Sequence, residues 1–408
     1  MRRASPIVGS MPASTPAATP EQCALELQAY VDELIGCGIR RVHTLAWRDL
    51  DDPDAGGSEV HADEFMRRWA AAGLDVTHRT SSAIGRPATS RRNGYGVVRR
   101  GSRYTVFPRT IVAEVTRSMG PFDALVEIWN GVPWFSPVWC RRPHITFLHH
   151  VHGPMWDQIL PGPLAALGRG LESRLAPPFY RRTETVTPSD ATREELLELG
   201  FRPELVTAVP NGTDPRFSPG GQKTAEPSIV AVARLAPVKR LSLLVDAAVA
   251  ARARVPGLTL TIVGDGPDRG ELEQQVAAAD AAGWITFAGR VDQDDLVGLY
   301  QRSWIVASAS LAEGWGLSLT EAAGCGTPAV ATDIRGHRSS VVDGITGILA
   351  DPADLSDAMV RVLTDDALRN RLGHAAHHRV QSLTWDASAL GIMRVLHRAV
   401  KAGARLQQ

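Results

Sequence analysis

Apolar residues along this chain alternate between two spacings. Over residues 21–35, Leu25, Leu27, Val31 and Leu34 recur at helical intervals and predict an amphipathic helix. Residues 41–47 predict a strand, 49–57 a loop, and 58–72 a helix striped by Val60, Phe65, Met66 and Trp69. Ser58 is the expected N-cap of that helix and Gly73 its stop. Further short strands are expected at 74–77, 124–128, 144–149, 185–187 and 206–209.

The breaker cluster Pro219-Gly220-Gly221 separates this series from a second one. Residues 228–233 form a near-continuous apolar run, as in a strand buried on both faces of a parallel sheet. Strands follow at 258–263, 284–287, 304–307 and 328–331, with a helix at 241–254 and an amphipathic helix at 385–400. Two successive β/α series predict an α/β protein of two doubly wound, Rossmann-like domains facing across a cleft. The expected boundaries are 21–218 for the first domain, 222–384 for the second, and 385–408 for a terminal helix crossing back. Residues 1–20 hold 13 Ala, Ser, Pro or Thr and no apolar core, so a disordered tail is expected.

Composition narrows the function. The 408 residues carry 44 basic and 44 acidic side chains, so no bulk positive charge points to a nucleic-acid partner. No run reaches the 18 apolar residues of a membrane-spanning helix. The four cysteines form no CxxC pair, which suits a reducing, cytoplasmic setting. Lysine is confined to Lys223, Lys239 and Lys401, so a lysine inside a motif stands out.

The sharpest motif is Glu313-Gly-Trp-Gly-Leu-Ser-Leu-Thr-Glu321. Gly314 and Gly316 let an anion approach a helix start near Gly316 and Leu317, whose free N–H groups and dipole attract phosphate. Glu321 stands one turn in, within reach of ribose hydroxyls, and Glu313 stands before the loop, facing sugar hydroxyls. Arg234 follows the apolar run 228–233, and Lys239 comes five residues later. A planar fork and a compact ammonium together suit a diphosphate. Gly56 and Gly57 precede another helix start and suit phosphate approach. His149, His150 and His152 end a strand, where His149, and after it His150, suits a sugar hydroxyl better than zinc.

Other features carry less. Gly264-Asp-Gly266 lacks the third glycine spacing of a dinucleotide fingerprint. Asp49, Asp51, Asp52 and Asp54 read as solvated loop acids. Residues 79–117 hold nine Arg and one acid, Glu114. They read as a solvated basic face or as a site for an anionic acceptor or an anionic membrane surface.

Taken together, Ala55-Gly-Gly-Ser-Glu59, Val209-Pro-Asn-Gly212 with Asp214, Arg234 with Lys239, Val263-Gly-Asp-Gly-Pro267, Gly289-Arg-Val291, Glu313 through Glu321 and Ala323-Gly-Cys-Gly-Thr-Pro328 resemble retaining glycosyltransferase family 4. The resemblance covers roughly residues 42–400. It implies the GT-B fold and transfer of a hexosyl group from a UDP- or GDP-sugar to a lipid, glycan or small-metabolite hydroxyl, without an essential metal or prosthetic group. It further implies that Arg234 and Lys239 hold the diphosphate, Glu321 the ribose, Glu313 and His149 the donor sugar, Gly57 the phosphates from the facing domain, and backbone near Arg290 and Val291 the base. Ser339 departs from the acid that many members carry in that segment. A nucleotide-sugar epimerase and a non-catalytic sugar-nucleotide-binding subunit are the rival readings.

Overall fold

The computed structural model describes residues 18–405. The expected tail therefore lies outside the described residues as far as residue 17. Thr19 caps the first helix, α1 (Pro20–Gly36), where its hydroxyl accepts from the Gln22 N–H and the Gln22 side chain accepts from the Thr19 N–H. Cys23, Leu27, Val31 and Leu34 form its buried stripe, while Leu25, expected in that stripe, faces solvent.

The first half alternates β1 (Arg41–Leu45), α2 (Gly57–Ala71), β2 (Asp75–Thr80), β3 (Thr89–Arg92), β4 (Tyr95–Arg99), α3 (Val106–Val115), β5 (Ala124–Trp129), β6 (His144–Leu148), α4 (Gly162–Gly170), β7 (Thr185–Thr187), α5 (Asp190–Glu198) and β8 (Val206–Ala208). Its eight strands lie in the order β3-β4-β2-β1-β5-β6-β7-β8, and all pairs are parallel except the β3–β4 hairpin. Asn93 and Gly94 turn that hairpin with φ of 45° and 89°. Asn-Gly is a pair suited to such a turn.

The second half holds β9 (Ser228–Val232), α6 (Leu241–Arg252), β10 (Thr259–Val263), α7 (Arg269–Ala278), β11 (Ile285–Gly289), α8 (Gln293–Arg302), β12 (Ile305–Ser308), α9 (Leu317–Gly324), β13 (Ala329–Thr332), α10 (Arg335–Ser340) and β14 (Gly347–Ala350), then α11 (Leu355–Thr364) and α12 (Asp366–Val380). Its sheet is wholly parallel, ordered β11-β10-β9-β12-β13-β14. The last helix, α13 (Trp385–Arg405), sets Leu390, Ile392, Met393, Leu396 and Val400 into the core beneath the first sheet. At roughly 1.5–3 kcal/mol per buried side chain of this kind, that face holds the helix firmly. No helix among the described residues is long and apolar enough to cross a membrane.

Each sheet reverses its winding direction once. β1 lies between β2 and β5, and β9 lies between β10 and β12. Ligands of such sheets bind outside the carboxyl ends of the strands at that reversal. The loops that follow β1, β9 and β12 are the ones that carry the glycine pair, Arg234 with Lys239, and Glu313.

Candidate functional site

Past β9 the chain carries Arg234, which is 45% exposed, and reaches Lys239 in a single 3-10 turn, Pro237–Lys239. Arg240 then takes φ 46° and donates to the Ala309 and Ser310 carbonyls at 2.8 and 2.9 Å. This pins the loop after β9 to the loop after β12. The Lys239 ammonium meets the Glu313 carboxylate, which also accepts the Ser310 hydroxyl at 2.8 Å. Burial pushes the Glu313 carboxyl up. The charges of Lys239 and His337 and the two hydrogen bonds outweigh it and hold the group below its ordinary range. His337 is fully buried, with Nδ1 2.7 Å from the Thr332 carbonyl and Nε2 3.2 Å from the Ser308 hydroxyl.

Gly316, at φ 95°, starts α9, and no side chain caps that end. Its first backbone N–H groups are left to solvent or to a ligand. Glu321 lies one turn in and accepts the Tyr300 hydroxyl at 2.9 Å. Burial raises its pKa to about 7. The Tyr300 hydrogen bond opposes that rise and the charge of Asp214 adds to it.

Facing α9, the start of α2 departs from the sequence expectation. Gly56, not Ser58, is the N-cap. The Glu59 carboxylate reaches back to the Gly56 N–H at 2.7 Å and also takes Arg48 at 3.3 Å. Ser58 sits inside the helix and accepts from Asn130 at 3.3 Å. A Cβ on Gly57 would lie 2.9 Å from Leu317 Cδ1. Two helix starts, each a locus of positive potential, therefore meet across the cleft beside Arg234 and Lys239.

The loop acids are not solvated as expected. Asp49 is fully buried between Arg92 and Arg99, at 2.8 and 2.5 Å. Burial pushes its carboxyl up, but the two guanidinium hydrogen bonds bring it down to about 2. Asp51 pairs with Arg92 and Arg99 at 2.6 and 3.0 Å. Arg103 holds Asp52 at 2.8 Å and Asp54 at 2.6 Å. Asp54 also stands 3.7 Å from Arg234, and Arg290 donates to the Pro53 carbonyl. The acidic loop thus bridges the two halves. The basic face expected over residues 79–117 is correspondingly reduced: Arg92, Arg99 and Arg103 spend their charge internally, and Arg79 is 2% exposed.

His149 lies against Phe147 with ring centroids 4.4 Å apart and meets His61 edge-on at 5.6 Å. Neither of its ring nitrogens has a hydrogen-bond partner, and burial lowers its pKa to about 4. It is a neutral imidazole at the domain junction. Its carbonyl oxygen opposes Gly314 so closely that a Cβ there would collide with it. His150 turns the other way, with its ring 4.2 Å from His152. Burial depresses its pKa, with the charges of His152, His149 and Lys239 adding to the effect.

Sequence reading missed what holds this loop. Buried Glu172 accepts the backbone N–H groups of His152 and Gly153, each at 2.9 Å, and the Trp156 indole at 3.0 Å, and it lies 3.2 Å from the His152 ring. It sits in a π-helical turn, Leu171–Leu175, and no local spacing marks it. Tyr300, Ser310 and His337 were missed for the same reason.

Arg234, Lys239, Glu313, Gly314, Gly316, Leu317 and Glu321 thus line one wall of the cleft. Gly56, Gly57 and the His149 backbone stand on the other. Arg290 reaches across the cleft, while the Val291 side chain packs onto the second core.

Comparison with known proteins bears on the family and the fold. Residues 55–217 match the model of Glycosyltransferase Family 4, and residues 214–379 match that of Glycosyl transferases group 1. The chain is 28% identical to a D-inositol 3-phosphate glycosyltransferase of Frankia alni, over 89% of this chain and 99% of that one. It is 30% identical to a D-inositol 3-phosphate glycosyltransferase of an Arthrobacter species, over 89% of this chain and 96% of that one. Among solved structures, sucrose-phosphate synthase from Thermosynechococcus elongatus superposes with a TM-score of 0.74 at 20% identity, covering 89% of this chain and 100% of that one. HepE from Anabaena, solved with UDP-glucose, gives 0.66 at 17% identity, over 90% of this chain and 99% of that one. All are glycosyltransferases or share their two-domain GT-B architecture.

Proposed function

Since the chain belongs to glycosyltransferase family 4, we propose that it moves a hexosyl group from a UDP- or GDP-sugar to an acceptor hydroxyl with retention of anomeric configuration. One observation carries the reading. Lys239 meets Glu313 just before the uncapped start of α9, and Arg234 meets Asp54 just before the start of α2, where Gly57 stands against Leu317. That is where a departing diphosphate would need its charge neutralised.

In this reading the Arg234 fork and the Lys239 ammonium bind the pyrophosphate oxygens. As the anomeric C–O bond breaks, negative charge grows on the β-phosphate, and these preorganised cations stabilise it. Because protein cations supply that charge, no divalent metal is needed. The Glu321 carboxyl accepts ribose hydroxyls, best once it is ionised above pH 7. Glu313, held by Lys239 and Ser310, faces the sugar together with His149, whose neutral ring supplies a hydrogen bond rather than a charge. The departing phosphate oxygen takes the acceptor's proton on the face from which it leaves. Arg234 and Arg290, here engaged by Asp54 and Pro53 of the facing loop, exchange those partners for the nucleotide.

The UDP-glucose bound to HepE supports a uridine donor, and the names of the Frankia and Arthrobacter relatives support a phosphorylated cyclitol acceptor. The test is a panel of UDP- and GDP-sugars incubated with inositol phosphates, read by mass spectrometry and by the anomeric NMR coupling of the product. The expected result is release of nucleoside diphosphate and an α-linked product from an α-linked donor, in the presence of EDTA. Failure of every nucleotide sugar to bind or turn over would overturn it.

A further inference from the structure

The arginines from β2 through α3 divide into two sets, apart from exposed Arg91, which donates to the Gly94 carbonyl of its own hairpin. Arg86, Arg92, Arg99 and Arg103 each meet an aspartate of the loop after β1. Arg79, Arg100 and Arg109 have no carboxylate within ion-pairing distance among the described residues, and all three line one open cavity of about 410 Å³. Glu114, the one acid whose charge acts on Arg79, is engaged by the His43 ring at 2.9 Å.

Arg79 is 2% exposed. Its guanidinium is fixed by the carbonyls of Thr80, Val98 and Arg100, at 2.6, 3.3 and 2.8 Å, and its Nε–H has no partner. A buried cation without an anion is costly, and a fold that retains one leaves a place where an anion would offset that cost. Besides the three arginines and Ser118, the cavity is lined by apolar residues, Pro108, Val112, Ala113 and Met119. Val112, on that wall, is 61% exposed.

We propose that this cavity is an anion-binding site for a phosphate monoester whose ester group is aliphatic. The phosphate meets Arg100 and Arg109 over the field of Arg79, and the aliphatic part lies on Pro108, Val112 and Met119. None of these residues builds the donor cleft, so the proposal does not depend on the glycosyl-transfer reading. The same chemistry is offered by a soluble alkyl phosphate and by a lipid headgroup with its first methylenes.

The test is calorimetric titration of the full chain with hexyl phosphate, inorganic phosphate and hexan-1-ol, alongside co-sedimentation with phosphatidylcholine vesicles with and without phosphatidic acid, whose phosphate is a monoester. Arg100→Gln/Arg109→Gln, both at exposed positions, serves as the variant, with its fold checked by thermal unfolding. One expected result is one-to-one binding of hexyl phosphate, on the order of tenfold weaker binding of inorganic phosphate, none of hexan-1-ol, and at least a tenfold loss in the variant. This supports the site with a soluble ligand. Sedimentation only with phosphatidic acid vesicles, lost in the variant, supports it with a lipid source. Absence of both forms of binding, or equal binding by wild type and variant, overturns it.

Discussion

Replacing Lys239 with methionine separates two jobs that the structure gives one ammonium group. The first is to hold Glu313. The two side chains are 23% and 19% exposed, so the pair is largely but not wholly dry. Breaking a fully buried pair costs about 3–5 kcal/mol, and residual solvent here reduces that to about 2–3 kcal/mol. With the ammonium gone, Glu313 keeps only the Ser310 hydroxyl, and burial raises its carboxyl. The stability that its lowered pKa supplies is present above the ordinary glutamate range and lost as pH falls through the folded value. Lys239→Met removes that acid sensitivity. The second job is catalytic: losing one transition-state cation costs on the order of 100-fold in kcat/KM, about 2.7 kcal/mol. Lys239→Met/Glu313→Gln tells the two apart, because it removes the stranded charge without restoring the cation. Urea unfolding should recover to within about 1 kcal/mol of wild type, while nucleoside diphosphate release stays depressed in both variants. A double variant that regained both stability and rate would show Lys239 to be structural and refute the reasoning.

Four further outcomes are expected. Gly314→Ala drives a Cβ into the rigid His149 carbonyl and should lower kcat/KM at least tenfold, whereas Gly57→Ala meets only the movable end of Leu317 and should cost less than threefold; equal effects would contradict the account of the closed cleft. Glu172→Gln strands buried N–H donors of the His152 loop and should destabilise the fold by about 3 kcal/mol in thermal or urea unfolding. Glu321, raised from 4.5 to about 7, adds stability that is complete below pH 4.5 and is lost as pH rises through 7. Donor affinity should run the opposite way, strengthening through pH 7 as the carboxylate forms, and Glu321→Gln should flatten that titration. His149 is already neutral above about pH 4, so His149→Asn should lower the rate without moving any pH midpoint between 6 and 7.

Much of the donor wall was legible because its chemistry is local. Gly314 and Gly316 precede a helix start in sequence as they do in space, and Arg234 follows the apolar strand that exposes it. The two windings were legible for a similar reason: buried parallel strands are unbroken apolar runs such as 228–232. The opposite was true of the acidic loop. Asp49 and Asp54 looked solvated because their partners, Arg92, Arg99, Arg103 and Arg234, come from β3, β4, the loop after β4 and the other half of the molecule. Charge pairing across a fold leaves no spacing to read. Ser58 was misread because the Glu59 carboxylate reaches back to accept the Gly56 N–H, a bond that needs no side chain on the cap. The β3–β4 hairpin carries its Asn93-Gly94 signal openly, but its strands bear Arg91 and Arg92 where alternating apolar residues would have drawn attention.

The central claim is that one cationic pocket between the two halves receives a pyrophosphate. A crystal of the full chain soaked with UDP and with GDP tests it most directly. The account expects the pyrophosphate on Arg234 and Lys239, a ribose hydroxyl on Glu321, and Asp54 displaced from Arg234. Either nucleotide lying elsewhere, with the Asp54–Arg234 contact intact, would contradict it.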